Sequence, residues 1–355
     1  MPQLPLSSAP QSLCILRLSA IGDICHTLPV VRTLQRAWPQ TQLTWIIGKT
    51  EHQLIGDIEN IEFLVFDKSR PWQSYRSLYR QLRRRHFDAL LHMQMSIRSS
   101  LINRFVHSPI RLGFHRQQAK DLQWLFNNHQ IAAANKQHVM DSLFGFAQAL
   151  GIKEPYLHWD IPIAKPEQDH VAQLLSAARP DQPLLLISPS SSMPYRNWHV
   201  AGYAAICDYA AQRYGAYVVL SGGPSPLEQQ LGADIEAQAK HKPLNLIGKT
   251  NLKQMLALLQ RATALLSPDS GPAHMATAVN TPVVGLYACT NPDRARPYLS
   301  EDTTVNRYAE AIEKKFGVAV DQIPWGTRVK DPGTMDLISI EDVKQKLDSI
   351  LGSAS

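Results

Sequence analysis

The feature that most constrains the fold of this 355-residue chain is the stretch ATALLSPDSGPAHMATAVNTPVVGLYACTNP, at residues 262–292. Two apolar runs flank a turn and a segment of small residues, a pattern that predicts a β-turn-α-β unit of a parallel sheet. Ser270 is a suitable N-cap, and Pro272 lies in the first helical turn. A helix that starts there directs free backbone N–H groups past the end of the strand, which suits a phosphate. An ordinary βα turn has the same spacing, so both readings remain open on spacing alone.

The same alternation of short apolar runs and helical segments extends through both halves of the chain. It predicts two doubly wound parallel sheets, with ligands outside the carboxyl ends of the strands. A proline-rich linker at residues 150–168 separates the halves, and the length suffices for two domains. We expect a first domain at residues 1–160 and a second at 161–335. An amphipathic helix within residues 336–355 is expected to pack back on the first domain. Neither half contains G-x-G-x-x-G.

Composition excludes several classes of protein. Apolar residues make up 44% and charged residues 19%, which is typical of a globular protein rather than a disordered one. Four scattered cysteines favour reduced, buried thiols over disulfides or a zinc site. Residues 1–12 lack the features of a signal peptide, and no apolar run approaches about 18 residues, so we expect no transmembrane segment.

Charge is divided unequally between the halves. Residues 1–160 hold 18 Lys and Arg against 11 Asp and Glu, or +7, whereas the remainder holds 18 against 19, or −1. A basic domain beside a neutral one predicts a large anionic partner for the first domain. Nucleic acid and an anionic lipid surface are both candidates. The lipid is favoured because no nucleic-acid-binding motif is present.

Two further loops contain candidate functional groups. Asp23 follows the first predicted strand near a helix N-terminus, where a carboxylate is most often a cap. The loop SPSSSMPYRNW, residues 188–198, follows the first strand of the second half. The hydroxyls of Ser191 and Ser192 and the guanidinium of Arg196 could contact a phosphate, or the segment could be a plain loop.

Three motifs resemble one known family. These are D-S-G-x-x-H-x-A-x-A-x-x-x-P with G-L-Y-x-x-T-x-P, R-L-S-A-I-G-D-x-x-H-x-x-P, and S-S-S-x-x-x-R-x-W. Together they resemble the ADP-heptose:lipopolysaccharide heptosyltransferases of glycosyltransferase family 9, which commonly have lysine where this chain has Arg196. The segments R-L-G-F and K-Q-H-V-M-D resemble the acceptor-binding region of heptosyltransferase I within that family.

The resemblance implies the GT-B architecture, two Rossmann-like doubly wound domains facing a central cleft. It implies that Asp23 is the catalytic base and that Arg196 stabilises the departing diphosphate. It places donor binding at Ser191, Ser192, Arg196, Glu228, Thr250, Asp269, Ser270, Gly271 and His274. It places acceptor binding at Arg98, Arg116, Lys120 and His138. It implies no metal and no cofactor besides the donor substrate, ADP-heptose.

The implied reaction is inverting transfer of L-glycero-D-manno-heptose from ADP-heptose to Kdo of Kdo-lipid A, in the lipopolysaccharide inner core of a Gram-negative bacterium. The enzyme would then be cytoplasmic and peripheral at the inner face of the inner membrane. Transfer to another core position or to phosphorylated Kdo is an alternative. From another class, a non-catalytic nucleotide-binding scaffold remains possible.

Overall fold

The structure, a computed structural model, describes residues 3–352, and the chain divides into two compact units between Pro162 and Ile163. Each unit contains one parallel six-stranded sheet with helices, which confirms the predicted α/β class. The division falls within the predicted linker.

The first unit alternates strands and helices from its first strand onward. Its elements are β1 (Ser12–Leu16), α1 (Ile21–Ala37), β2 (Gln42–Gly48), α2 (Lys49–Ile55), β3 (Ile61–Phe66), α3 (Pro71–Leu82), β4 (Ala89–His92), α4 (Ile97–Asn103), β5 (Ile110–Gly113), a 3₁₀ turn (Gln123–Phe126), β6 (His129–Gln130) and α5 (Val139–Leu150).

The strand order of this sheet is β3-β2-β1-β4-β5-β6, so the direction of winding reverses between β1 and β4. Residues 13–16 of β1 are fully buried, as expected for a central parallel strand covered on both faces. One face is covered by α1 and α5, which pack together. The other face, with Phe66 of β3, packs against Leu78 of α3 and Ile102 of α4. Ligands of doubly wound sheets bind where the winding reverses, at the carboxyl ends of the strands.

The second unit repeats this plan. Its elements are α6 (Lys165–Leu174), β7 (Leu184–Ile187), a 3₁₀ turn (Pro194–Arg196), α7 (Val200–Tyr214), β8 (Tyr217–Leu220), α8 (Pro226–Gln238), β9 (Leu244–Asn245), α9 (Leu252–Arg261), β10 (Ala264–Pro268), α10 (Gly271–Ala278), β11 (Val283–Tyr287), α11 (Pro292–Ala295), β12 (Val305–Asn306), α12 (Tyr308–Phe316), 3₁₀ turns (Val320–Gln322 and Thr334–Leu337) and α13 (Ile340–Leu351).

Its strand order is β12-β11-β10-β7-β8-β9, and the winding reverses between β7 and β10. The β-turn-α-β unit predicted from residues 262–292 is present as β10, α10 and β11, with β10 and β11 paired in parallel. The polar stretch after Tyr298 contains the short strand β12 and the helix α12. Tyr308 and Ile312 of α12 form a small buried cluster with Val329.

The last helix differs from its prediction. The sequence correctly predicts a capped amphipathic helix, since Ser339 and Asp342 form a capping box at the start of α13. The prediction that this helix packs back on the first domain is wrong. Val343, Leu347 and Leu351 lie in the core of the second unit, where α13 packs against α7. Asp348 also accepts hydrogen bonds from two tyrosines of the α7 helix, at 2.7 Å each.

All four cysteines are free and buried, and burial raises the pKa of the Cys25 thiol to about 12. No helix within residues 3–352 is long and apolar enough to cross a membrane.

A buried polar network lies at the carboxyl end of β4. Nδ1 of His92 lies 3.0 Å from Nδ2 of Asn103 and 3.2 Å from Oδ1 of Asn127. Nε2 of His92 lies 3.1 Å from Oγ of Ser99. These contacts connect β4, α4 and the segment before β6. Burial lowers the pKa of His92 from 6.5 to about 4, because desolvation disfavours the charged ring.

We therefore predict that the first unit loses stability on acidification through His92. Between pH 6.5 and about 4 the unfolded state binds a proton that the folded state does not, so the free energy of unfolding falls as the pH falls. The full effect is about 3 kcal/mol. Urea unfolding at several pH values should show a smaller pH dependence for His92→Gln than for the wild type over this window. The same pH dependence of the free energy of unfolding in both proteins would contradict the role assigned to His92.

Candidate active site

The candidate residues lie at the carboxyl edges of the two sheets, where strand winding reverses. In the first unit, Asp23 follows β1 and the segment from Gln94 to Arg98 follows β4. In the second, the loop containing Arg196 follows β7, and Asp269 follows β10. Each unit therefore holds one cluster of candidate residues.

Asp23 is held by one of its two carboxylate oxygens. Its Oδ2 lies 2.6 Å from Nη2 of Arg17 and accepts a hydrogen bond from the Ala20 N–H at 3.1 Å. Oδ1 forms no hydrogen bond or ion pair within residues 3–352, and the side chain is 38% exposed. One oxygen is thus fixed while the other remains available to accept a proton. A general base needs this arrangement, a fixed orientation with a free acceptor.

Arg17 is a functional candidate that the sequence analysis missed. Besides the ion pair with Asp23, its Nε donates to the Ser19 carbonyl at 3.1 Å, and its Nη1 donates to the Met93 carbonyl. Arg17 is only 8% exposed, so its charge is buried and compensated by these groups. A cation directly after the buried strand β1 was the available signal, because such a residue rarely stays buried without a partner.

Gln94 also supports the Asp23 loop. Its side-chain oxygen accepts from the Leu18 N–H at 2.7 Å, and its amide donates to Oγ of Ser19 at 3.3 Å. The Gln94 carbonyl in turn accepts from Oγ of Ser99 and Nε2 of Gln123. The loop after β1 is thereby tied to the polar network around His92.

The predicted acceptor residues follow β4, β5 and β6, on the same sheet edge as Asp23. Arg98, Arg116 and Lys120 are all exposed. The Arg98 guanidinium lies over the Phe66 ring at 5.9 Å, and that of Arg116 lies over the Trp124 ring at 4.2 Å. The guanidinium groups of Arg98 and Arg116 therefore combine a cation–π contact with exposure to solvent.

His138 differs from these three because it is buried. It is the N-cap of α5, where its Nδ1 accepts from the Met140 N–H at 3.1 Å, leaving Nε2 as the nitrogen that bears the proton of the neutral ring. Its ring packs edge-on against His26 of α1, at 5.4 Å between centroids. His138 is thus a structural cap as well as an acceptor candidate.

The second cluster is built on an ion pair. Nη1 of Arg196 lies 3.1 Å from Oδ2 of Asp269 and donates to the Asp269 carbonyl at 3.2 Å. Nε2 of His274 lies 3.9 Å from Oδ1 of the same carboxylate. Arg196 and Asp269 are 12% and 13% exposed at their side chains, and Nη2 of Arg196 forms no hydrogen bond or ion pair in the described part of the chain. Arg196 is therefore fixed with part of its donor fork still available.

The start of α10 leaves backbone donors available. Ser270 is the N-cap residue, but its side chain does not cap the helix and instead lies 2.7 Å from Oγ of Ser267. Pro272 has no N–H, and Gly271 has no Cβ to block an approach to the backbone. Within residues 3–352, no side-chain cap satisfies the first N–H groups of α10. Together with the helix dipole they form a site suited to an anion.

Ser191 and Ser192 lie in the loop after β7, the loop that also contains Arg196. Ser191 is buried, donates its N–H to Oδ1 of Asn197 at 2.8 Å, and accepts from the Met193 N–H. Ser192 is exposed. Trp198 anchors the loop in the core, because its indole N–H donates to the Ile338 carbonyl at 3.0 Å. The predicted motif thus combines a core anchor with exposed polar groups.

Glu228 and Thr250 lie at the ends of neighbouring loops. The Glu228 carboxylate accepts from the Gly223 N–H and, at 3.0 Å, from the hydroxyl of Ser225, the N-cap of α8. Glu228 therefore orders the loop after β8, and its predicted role in donor binding stays a proposal. The hydroxyl of Thr250 forms no hydrogen bond within the described residues, and Thr250 precedes the N-cap of α9. Across residues 3–352, no cluster of three or more His, Cys, Asp or Glu is placed to hold a metal.

Comparison with known proteins identifies the class. Residues 75–325 match the family model described as glycosyltransferase family 9 (heptosyltransferase). The lipopolysaccharide core heptosyltransferase OpsX of Haemophilus influenzae is 40% identical over 337 residues, covering 95% of this chain and 96% of the relative.

Two solved structures share the fold. A family 9 glycosyl transferase from Veillonella parvula superposes with a TM-score of 0.80 at 22% identity, covering 97% of this chain and 98% of that one. The ADP-heptose lps heptosyltransferase II of E. coli has a TM-score of 0.71 at 20% identity, covering 96% and 99%.

The fold and these matches define a glycosyltransferase, an enzyme of the GT-B-like α/β class. Within that class, the chain belongs to glycosyltransferase family 9, the heptosyltransferase family.

The geometry around Arg17 predicts that this residue holds the Asp23 loop in place. Arg17→Met removes the partner of Asp23 and leaves two carbonyls without their donor, so we expect a loss of about 2–3 kcal/mol in the free energy of unfolding. Arg17→Lys should lose less, because it keeps the charge. Urea unfolding measures both variants. Arg104→Met, which removes an exposed arginine without an ion pair in the described residues, is the matched control. Equal stability of Arg17→Met and the control would refute the role.

Proposed function

We propose that this enzyme transfers heptose from ADP-heptose to a Kdo residue of the lipopolysaccharide inner core, at the position served by heptosyltransferase I. The proposal rests on the groups that lie where strand winding reverses in each sheet, here called the switch points. One presents a fixed carboxylate with a free oxygen, and the other presents an arginine beside uncapped helical N–H groups.

The donor half of the proposal rests on the second unit. A diphosphate carries the charge that the N-terminus of α10 and the free Nη2 of Arg196 would bind. The hydroxyls of Ser191 and Ser192 would donate to its oxygens. Glu228 and Thr250 would contact the nucleoside, and Asp269 with His274 would orient the sugar or the loop. The structural relative from E. coli named for ADP-heptose supports this choice of donor.

The chemistry would be one displacement with inversion. Oδ1 of Asp23 takes the proton from the acceptor hydroxyl as its oxygen attacks the anomeric carbon, and ADP departs from the opposite face. Negative charge then builds on the β-phosphate, where Arg196 and the N–H groups of α10 would stabilise it. We further propose that these fixed donors replace a metal ion in this role.

The acceptor half rests on the first unit. Kdo sugars and lipid A are anionic, and the exposed cations Arg98, Arg116 and Lys120 would bind such groups, with His138 as a further contact. We propose accordingly that the enzyme works at the inner face of the cytoplasmic membrane.

The decisive assay incubates the protein with ADP-heptose and Kdo-lipid A in the presence of a chelator, and follows ADP release and product mass. The proposal expects one heptose to be added. Parallel reactions with Kdo-lipid A carrying a phosphate on Kdo, and with an acceptor that already bears the first heptose, test the alternative positions. Binding of ADP-heptose without transfer to any acceptor would instead indicate a non-catalytic scaffold.

Asp23→Asn should reduce turnover about 10²–10⁴-fold, because it removes the base while retaining the shape of the side chain. The affinity for ADP should stay close to that of the wild type, because the proposed ADP site lies in the second unit. Steady-state kinetics and calorimetric titration with ADP measure the two effects. Turnover near the wild-type value would exclude Asp23 as the base.

Arg196→Ala should weaken ADP binding about 10–100-fold, the range expected for loss of a charge-assisted hydrogen bond. Arg196→Lys should bind more tightly than Arg196→Ala, because lysine is common at this position in the family and keeps the charge. Calorimetry compares both with Arg213→Ala, which removes an exposed cation of α7 in the same unit. If lysine proved as damaging as alanine, the charge of Arg196 would not be its contribution.

A further inference from the structure

One outer surface of the first unit combines exposed apolar side chains with unpaired arginines. We propose that this surface, formed by α3, α4 and the 3₁₀ turn at Gln123–Phe126, docks on an anionic lipid bilayer. Six exposed apolar residues make up this interfacial face, namely Trp72, Tyr79, Ile97, Leu101, Leu122 and Leu125.

The exposure of these side chains is the first observation. Trp72 is 81% exposed, Ile97 66% and Leu122 60%. Of the eleven large apolar residues that are exposed in the described part of the chain, six belong to the interfacial face. Apolar side chains concentrated in this way mark an interaction surface rather than ordinary surface scatter.

The three elements are neighbours. Phe105, directly after α4, contacts Tyr75 and Tyr79 of α3, at 6.2 and 5.7 Å between ring centroids. The buried residues Leu78 of α3 and Ile102 of α4 share one core cluster, and α4 also contacts the 3₁₀ turn. The exposed apolar residues therefore lie on adjoining elements of one side of the sheet.

Charge identifies the partner. From Lys68 to Lys120 the chain holds twelve Lys and Arg, and Asp88 is the single acid, giving a net +11. Five of these cations flank or lie on α3, are exposed, and form no ion pair within residues 3–352, namely Arg70, Arg76, Arg80, Arg83 and Arg84. A cationic helix with exposed Trp and Tyr is typical of segments that lie in a membrane interface.

Helical spacing places these groups together. The outer side of α3 and the turn after it holds Trp72, Arg76, Tyr79, Arg80 and Arg83. Successive members are three or four residues apart, except that Tyr79 and Arg80 are adjacent, so all five project from one side of the helix. Ser74, Leu78 and Leu82 occupy the opposite, buried side. A second copy of this chain would bring two surfaces of the same sign together and is therefore disfavoured. Nucleic acid would pair with the arginines but would leave Ile97 and Leu101 without apolar contacts.

The position of the interfacial face indicates how docking would serve catalysis. Helices α3 and α4 follow the carboxyl ends of β3 and β4, so Trp72 and Ile97 lie at the sheet edge that contains Asp23. Docking through this face would hold that edge at the level of lipid headgroups. This use in catalysis rests on the proposed function, whereas the exposed apolar residues and the charge do not.

Vesicle sedimentation with the full chain tests the proposal. We expect binding to phosphatidylcholine vesicles that contain about one third phosphatidylglycerol, and much weaker binding to pure phosphatidylcholine. Trp72→Ser/Ile97→Ser should lower the partition coefficient about ten-fold or more, and Arg76→Gln/Arg80→Gln/Arg83→Gln should remove the preference for anionic vesicles. Leu227→Ser/Phe316→Ser, which removes exposed apolar residues from the second unit, is the matched control and should bind like the wild type.

Three results would overturn the proposal: equal binding to both vesicle types, equal losses in the control and the face variants, or tighter binding to an oligonucleotide than to anionic vesicles.

Measurements of turnover distinguish the docking proposal from the proposed transferase function. Trp72→Ser/Tyr79→Ser, a pair from this face that lies outside the acceptor segment, should keep wild-type turnover on an acceptor stripped of its acyl chains and lose turnover on the vesicle-borne acceptor. If the wild type turns over neither acceptor yet binds anionic vesicles, the proposed function fails and the docking surface stands.

Discussion

The interaction on which both sites depend is an arginine–aspartate pair that spans the switch point of each sheet. In the first unit, Arg17 contacts Asp23 and also the carbonyl of Met93, which follows the neighbouring strand β4. In the second, Arg196 follows β7 and contacts both the carboxylate and the carbonyl of Asp269, which follows β10. Two central strands diverge at a switch point and leave backbone carbonyls without ladder partners. A buried guanidinium supplies several donors to that gap at once, and its charge requires a carboxylate nearby.

The same pairing has opposite consequences in the two units. Asp23 uses one oxygen for the pair and keeps the other open, so the acidic partner remains available for chemistry. In the second unit Arg196 keeps Nη2 open, so the basic partner remains available, beside helical N–H groups that no side chain in residues 3–352 caps. A proton acceptor and an anion site therefore arise from one structural device. The net +11 of residues 68–120 adds long-range attraction for anions to the first unit alone.

Much of this could be predicted from the sequence, because buried parallel strands leave a strong signal. The apolar runs around β1, β7, β10 and β11 fixed the α/β class, and the turns after them located Asp23, Arg196 and Asp269. The pairings could not be predicted, because residues 73 apart, such as Arg196 and Asp269, meet only through strand order. The core against which α13 packs was mispredicted for a similar reason. Its amphipathic pattern shows that one side is buried but not which core receives it.

Side chains that can serve either folding or binding set a further limit on predicting the site from the sequence. Glu228 fits a family pattern for a donor contact, yet its carboxylate orders the loop at Gly223 and Ser225. His138 fits an acceptor contact, yet it caps α5. Short polar motifs near helix starts serve folding and binding with the same atoms, so sequence alone cannot separate the two uses.

The central claim is that the two switch points divide the substrates, with the nucleotide at the second unit and the anionic acceptor at the first. Hydrogen–deuterium exchange with ADP and, separately, with the acceptor sugar tests this most directly. The account predicts that ADP slows exchange at residues 188–198 and 269–274 and leaves residues 19–23 and 94–138 unchanged, while the acceptor does the reverse. Protection of residues 19–23 by ADP, without protection of residues 269–274, would contradict it.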